Sequence, residues 1–153
     1  MAYGEGLAEV TGKLYGLLTE AEGEKAASWD VAKQQKRIWP WGNNWNADYV
    51  NCAPSGPGRT TPRRQYSPAG DSPYGCADMA GNVWEWCNSL YRPYPYAADD
   101  GREDLAESRG RVLRGGSWYN KNPATVRCAY RVRNFPDYGD VSGGFRVARS
   151  SLK

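Results

Sequence analysis

The residues best suited to chemistry lie in the stretch Asp78–Trp86, which has the sequence DMAGNVWEW. Asp78 and Glu85 stand on either side of a Gly81-Asn82 turn, and carboxylates combined with turn carbonyls are the ligands that calcium prefers. Glu85 is also suited to capping turn amides or pairing with an arginine. The stretch therefore predicts either a hard-cation site or a structural contact of Glu85 at this turn.

Histidine is absent from the chain. Its absence excludes imidazole-dependent triads and histidine-ligated zinc or iron within this sequence. The four cysteines are Cys52, Cys76, Cys87 and Cys128. They form no C-x-x-C pair, so a zinc site is not expected, although Cys76 and Cys87 flank the turn and can approach one another. Because no signal peptide is visible, we expect a reducing compartment and four free thiols.

Composition indicates one globular domain over residues 1–153, with 40% hydrophobic and 24% charged residues. The 18 glycines and 10 prolines predict more irregular backbone than helix. A net charge of +3, with basic residues scattered among acidic ones, predicts no nucleic-acid partner. No apolar run long enough for a membrane segment is present. The expected compartment is the cytoplasm by default, and surface display stays open.

Local signals define the elements around the turn. Gly81 and Asn82 tolerate positive φ, and the residues that follow favour an extended strand. Alternation along that strand places Trp84 and Trp86 on one face and Glu85 on the other. Upstream, Thr19 and Glu22 have the spacing of a capping box, so we expect a helix from Glu20 to about residue 27. Three tryptophans between Trp39 and Trp45 predict a structural aromatic cluster.

These motifs resemble a known family. Asp78–Trp86 is similar to the GNVWEW signature of the formylglycine-generating-enzyme (sulfatase-modifying-factor) family, and Arg111–Trp118 is similar to its RVLRGGSW signature. The other motifs that match it in the same order are Leu18–Glu22, Trp39–Asn43 and Gly144–Val147. The resemblance covers residues 17–147 and implies an α+β, loop-rich fold of the C-type-lectin type. It is N-terminally shortened, because the family's first half has no counterpart before Leu17.

Three further expectations about structure and metals come from this resemblance. Trp84, Trp86, Trp118 and Phe145 are expected in the core. A calcium ion is expected between the side chains of Asp78 and Glu85 and the carbonyls of Gly81 and Val83. No copper is expected. The family's oxidases bind copper through two cysteines shortly after GGS[WY]; here these positions fall on Asn120 and near Thr125, and Cys128 lies too far along. The resemblance thus implies that formylglycine-generating activity is absent, and the lack of histidine excludes the branch that uses histidine-bound iron.

Residues 119–142 resemble the variable region of diversity-generating-retroelement proteins, some of which use this fold. In such regions, asparagine codons of a template are mutated at adenines while the residues between them stay constant. The constant residues have counterparts here in Arg127, Ala129, Arg131, Arg133, Pro136 and Asp137. The predicted ligand-binding residues are Tyr119, Asn120, Asn122, Tyr130, Val132, Asn134, Phe135, Tyr138, Gly139 and Asp140. Strand alternation predicts that Tyr130 and Val132 face outward. It also predicts that Arg131 and Arg133 point inward or sideways, into hydrogen bonds with backbone carbonyls or carboxylates.

The predicted function is that of a non-catalytic, diversified ligand-binding protein. Tyrosine supplies rigid contact area and small polar residues supply adaptable hydrogen bonds, which is the composition of binding surfaces. The expected partner is a protein or other macromolecule whose identity cannot be derived from the sequence. The alternatives are an ordinary non-catalytic member of the family or a formylglycine-generating-enzyme-like oxidase. A calcium-dependent sugar lectin rests on the fold name alone, because no Glu-Pro-Asn or Gln-Pro-Asp motif occurs.

Overall fold

Short strands and two α-helices are joined by long loops, as the glycine and proline content predicts. The computed structural model describes residues 2–97 and 99–149. The helices and strands are α1 (Ala2–Thr11), β1 (Tyr15–Leu17), α2 (Glu20–Ser28), β2 (Trp29–Asp30), β3 (Gln35–Lys36), β4 (Trp84–Leu90), β5 (Arg111–Arg114), β6 (Val132–Asn134), β7 (Gly143–Phe145) and β8 (Val147–Arg149). Two 3₁₀ turns lie at Ala47–Tyr49 and Pro123–Val126. This content confirms the loop-rich α+β class.

The central sheet has four strands in the order β6-β5-β4-β7. Strands β4, β5 and β6 pair antiparallel, whereas β7 returns late in the chain to pair parallel with β4. Trp86 lies opposite Leu113 on β5 and opposite Phe145 on β7, so these three side chains share one face. Glu85 and Arg114 are paired on the other face. Helix α2 contacts β4 and β5.

Helix α2 begins as the capping signal predicts. The Thr19 hydroxyl accepts a hydrogen bond from the Glu22 amide at 3.2 Å, and the Glu22 carboxylate accepts one from the Thr19 amide at 2.9 Å. This reciprocal arrangement satisfies two amides that have no partner within the helix. The helix ends at Ser28, within a residue of the predicted end.

The central turn also has the predicted conformation. Gly81 has φ 73° and Asn82 has φ 65°. A Cβ atom at Gly81 would lie 2.3 Å from the carbonyl oxygen of Asn51, so glycine is required there on two counts. The Asn82 side chain fixes the preceding loop, because its oxygen accepts hydrogen bonds from the backbone amide of Thr61 at 2.9 Å and from the side-chain Nδ2 of Asn51 at 3.1 Å.

Two buried clusters form the core beside this turn. The first contains Val50, Cys52, Ala80 and Val126, and the second contains Ala27, Met79 and Cys128. The predicted aromatic cluster packs against the first, with the rings of Trp39 and Trp41 stacked at 6.3 Å. No helix in the described residues has the length and apolar character needed to cross a membrane.

The predicted core assignment is wrong for Phe145, which is 53% exposed. Trp84, Trp86 and Trp118 are only partly buried. The reason is that α2 packs against the opposite face of the sheet, where Glu85 and Arg114 lie. The tryptophan face is left as the floor of a groove.

Candidate functional site

The uncovered face of the central sheet forms a concave groove with a volume of about 500 Å³. Its floor consists of Trp84, Trp86, Leu113 and Phe145 from β4, β5 and β7. We call this surface the sheet groove. Large apolar side chains that remain accessible in a concave site are typical of ligand-binding surfaces.

Seven of the ten predicted ligand-binding residues line the sheet groove. They are Tyr119, Asn120, Val132, Asn134, Tyr138, Gly139 and Asp140. Strand β6 carries two of them, the turn after β5 carries two, and the loop from β6 to β7 carries three. Tyr119 is 66% exposed and Tyr138 is 53% exposed, so the fold gathers residues 19 positions apart into one accessible rim.

The remaining three predicted residues lie outside the groove lining. Asn122 accepts a hydrogen bond from the Ala124 amide at 2.9 Å and so caps a 3₁₀ turn. Tyr130 is half-buried and packs against Trp84, with ring centroids 6.1 Å apart. Phe135 is exposed next to β6. Asn122 and Tyr130 therefore have local structural contacts that the sequence pattern did not reveal.

Some polar residues of the groove also hold its loops in place. The Asn120 side-chain oxygen accepts hydrogen bonds from the amide of Ser117 at 2.7 Å and from its hydroxyl at 3.2 Å. Asp140 accepts from the amide and hydroxyl of Ser142 at 2.6 Å and 2.8 Å, and these bonds hold the pKa of Asp140 below its usual value. Tyr119, Val132 and Tyr138 are thus the residues that mainly supply contact area.

The two arginines of the segment differ from one another. Arg131 makes the predicted inward contacts, donating to the Glu20 carboxylate at 2.7 Å and to the Arg92 carbonyl at 2.9 Å. Its guanidinium lies over the rings of Tyr91 and Tyr94. Arg133 is exposed, so the expectation of an inward position is wrong for this residue.

Sequence reasoning missed the network around Glu20. Glu20 is buried, and its Oε1 lies 2.8 Å from Arg114 Nη2 and 2.6 Å from Arg131 Nε. Its Oε1 also accepts a hydrogen bond from the Tyr94 hydroxyl at 3.3 Å. The sequence signal was a carboxylate in the first turn of a capped helix, which ordinarily indicates solvent exposure and a favourable helix-dipole contact.

At the predicted calcium position, Glu85 binds an arginine. The Arg146 guanidinium donates to both Glu85 oxygens at 2.6 Å each, and to the carbonyls of Asp78 at 3.0 Å and Ala77 at 3.2 Å. The Asp78 carboxylate accepts from the Arg64 amide at 2.8 Å. Burial raises the pKa of Glu85, and the contact with Arg146 opposes that rise.

These contacts do not fit a calcium ion, because the guanidinium already supplies the positive charge between the oxygens. Gly81 and Val83 lie on the same turn, with the Gly81 amide bonded to the Gly115 carbonyl at 2.8 Å. Among the described residues, no group of three or more acidic, cysteine or histidine side chains is placed to hold a metal. Calcium binding at this turn would require Arg146 to move away from Glu85.

The four cysteines are free thiols, as predicted. Burial raises the pKa of both Cys87 and Cys128 to about 12. The Cys128 thiol donates to the Ala27 carbonyl at 3.6 Å. The Cys87 and Cys128 thiols are therefore packing groups that stay protonated at neutral pH.

Comparison with known proteins agrees with this architecture. The model of the Sulfatase-modifying factor enzyme 1-like domain matches residues 1–151. Hercynine oxygenase of Mycobacterium tuberculosis is 38% identical over 86% of this chain and 32% of its own length. Inactive C-alpha-formylglycine-generating enzyme 2 of Bos taurus is 34% identical over 86% of this chain and 43% of its own length.

Among solved structures, Treponema denticola variable protein 1 superimposes with a TM-score of 0.70 at 29% identity, over 88% of this chain and 47% of that one. The chain thus spans less than half the length of the relatives named here. The likenesses confirm the predicted C-type-lectin-like fold of the formylglycine-generating-enzyme type. The chain belongs to the sulfatase-modifying factor enzyme 1-like family.

Proposed function

We propose that the chain is a non-catalytic ligand-binding protein of the diversity-generating-retroelement variable type, with the sheet groove as its binding site. One observation carries the proposal: seven of the ten residues predicted to bind a ligand line a single groove over an apolar floor. Residues selected for packing alone have no reason to gather on one accessible surface.

The sheet groove has a rigid floor and an exposed rim, and this difference supports the proposed function. The floor residues belong to paired strands, so their positions are fixed by backbone hydrogen bonds. The rim residues Tyr119 and Tyr138 lie in turns and are exposed. Surface substitutions usually change stability by less than about 0.5 kcal/mol. The rim can therefore vary while the scaffold stays folded.

The expected ligand is a protein or another macromolecule with a surface that fits an open, aromatic groove. Exposed tyrosines beside small polar residues are typical of protein-binding surfaces. Likeness to Treponema denticola variable protein 1 and to an inactive relative of the formylglycine-generating enzyme supports a binding role.

Deep sequencing of the gene in a growing population tests the proposal. We expect substitutions at the codons for Tyr119, Val132, Tyr138 and Asp140, and a near-copy of the 3′ coding region with adenines at those codons. The codons for Trp84, Trp86 and Leu113 serve as an internal control and should stay unchanged. Substitutions spread evenly over rim and floor, with no such copy, would favour an ordinary non-catalytic member of the family.

The second candidate is a formylglycine-generating-enzyme-like oxidase, and likeness to the Formylglycine-generating enzyme of Streptomyces coelicolor, 35% identical over 88% of this chain and 46% of its own length, favours it. It is tested by incubating the protein with copper and a cysteine-containing sulfatase peptide. We expect no formylglycine, because a single buried thiol at Cys128 cannot replace a thiolate pair that holds a soft metal. Turnover that Cys128→Ser abolishes would establish the enzyme instead.

A further inference from the structure

A second groove shares Trp86 and Phe145 with the sheet groove. It has a volume of about 490 Å³, and we call it the apolar groove. Apolar side chains form most of its wall, namely Leu17, Trp86, Leu105, Pro136, Phe145 and Val147. Its size and lining are in the range of small-molecule sites.

One charged side chain, that of Arg111, lines this groove. Arg111 is 9% exposed. Its guanidinium donates to three backbone carbonyls: those of Asn88, Asp104 at 2.9 Å and Glu107 at 3.2 Å. These partners are neutral, so they orient the guanidinium without neutralising its charge.

Arg111 differs in this respect from four other arginines of low exposure. Arg102, Arg114, Arg131 and Arg146 each bind at least one carboxylate. Within residues 2–97 and 99–149, Arg111 forms no ion pair. The neighbouring carboxylates have other partners: Glu103 accepts from Asn88 at 2.9 Å and from Tyr96 at 3.1 Å, and Glu107 pairs with Arg109 at 3.6 Å.

We propose that the apolar groove binds a free aliphatic carboxylate, with its head group on Arg111 and its tail against Trp86 and Phe145. A guanidinium removed from water is stabilised by an anion. It carries five N–H donors; the three recorded bonds use one on Nη1 and two on Nη2, which leaves the Nε–H and one Nη1–H as donors to a carboxylate oxygen. The apolar wall favours a hydrocarbon tail of medium length over a small inorganic anion.

Glycine at position 16 keeps this groove open. Gly16 lines the groove, and a Cβ atom built there meets no atom within 4 Å. Gly16→Phe therefore places a ring at the groove without a clash at Cβ. A matched control is Gly139→Phe, because Gly139 also has open space within 4 Å but lines the sheet groove.

Decanoate below its micellar concentration is the probe, titrated against the protein by calorimetry and tryptophan fluorescence. We expect saturable one-to-one binding. Decanol should bind at least about tenfold more weakly, because its neutral hydroxyl cannot form the charge-assisted bond that a carboxylate forms with Arg111. Decylammonium should bind more weakly than decanol, because its charge repels Arg111. Equal affinity for decanoate and decanol would overturn the proposal.

Three variants locate the site. Gly16→Phe should abolish decanoate binding and Gly139→Phe should retain it. Arg111→Met should remove the preference for decanoate over decanol while decanol still binds, which also shows that the variant is folded. If Arg111→Met does not fold, the two glycine variants test the site by themselves. Retained decanoate binding in Gly16→Phe, or an equal loss of binding in Gly16→Phe and Gly139→Phe, rejects the site. This outcome is independent of whether the sheet groove is diversified.

Discussion

The guanidinium of Arg146 and the carboxylate of Glu85 meet through two parallel hydrogen bonds of 2.6 Å each, across 61 residues of sequence. Glu85 lies on β4 and Arg146 directly follows β7, so the pair ties the parallel edge of the sheet to its centre. Bidentate pairs of this kind are among the stronger hydrogen-bonded contacts in proteins.

Removing the arginine from this pair should destabilise the fold. Arg146→Met leaves a largely buried carboxylate without its partner, and we expect a loss of about 2–4 kcal/mol in the free energy of unfolding. Urea denaturation measures it. Arg109→Met is the matched control, because the Arg109–Glu107 pair is exposed and 3.6 Å long and should contribute less than about 1 kcal/mol. Equal effects of the two substitutions would contradict the assigned role of Arg146.

Calcium should have no effect on the wild-type protein. Because Arg146 binds both oxygens of Glu85, we expect the same melting temperature with calcium and with a chelator. A ligand that binds only the folded state raises the melting temperature with its concentration. A calcium-dependent rise would therefore show that the ion displaces Arg146 and that the calcium site predicted from the sequence exists.

Arg131 and Arg133 are two positions apart, and their removal should affect the free energy of unfolding very differently. Arg131→Ser removes a partner of the buried Glu20 and should lower the free energy of unfolding by about 3 kcal/mol or more. Arg133→Ser removes an exposed side chain two positions along and should change it by less than about 0.5 kcal/mol. Chemical denaturation of both variants measures the difference. Similar values would mean that the Glu20 network does not depend on Arg131.

The tyrosines should separate into contact and packing residues. Tyr119→Ser and Tyr138→Ser should leave the melting temperature nearly unchanged, because both rings are more than half exposed. Tyr130→Ser should lower it, because the ring packs against Trp84. A scan of the three single variants by thermal unfolding tests this, and a Tyr138→Ser variant as destabilised as Tyr130→Ser would place Tyr138 in the core.

The thiols should react in an order set by burial. With pKa values of about 12, Cys87 and Cys128 carry almost no thiolate at about pH 8, and only the thiolate reacts. We expect one fast phase with a disulfide reagent in the native state, from the partly exposed Cys76. Cys76→Ser should remove that phase. A fast phase that persists in this variant would show that a second thiol is accessible.

Local sequence signals predicted the helix start, the turn and the strand more accurately than they predicted how these elements pack together. The Thr19 capping box and the Gly81-Asn82 turn depend on neighbouring residues alone, and both have the predicted geometry. The alternation of Trp84, Glu85 and Trp86 gave the correct faces, but large side chains occupy both. Which face α2 would cover depends on the buried Glu20–Arg114 contact, which joins residues 94 positions apart.

The sequence predicted most of the residues on the rim of the sheet groove, but it did not predict that a groove with an apolar floor would form. The resemblance to variable regions selected Tyr119 and Tyr138, which the loops bring to one rim. The floor was missed because large aromatic side chains are usually buried, so Trp84, Trp86 and Phe145 were all assigned to the core. Arg111 gave no sequence signal, because its lack of a carboxylate partner is a property of the folded chain.

The parallel pairing of β4 with β7 has a consequence for the order of folding. Trp84 and Gly143 are partners in this ladder, and the intervening chain must be brought back before the strands can meet. Contacts between residues distant in sequence form slowly, because the chain entropy is lost before the contact energy is gained. During synthesis, the groove floor is therefore completed only when β7 has left the ribosome, and a chain that stops before Gly143 cannot present the site.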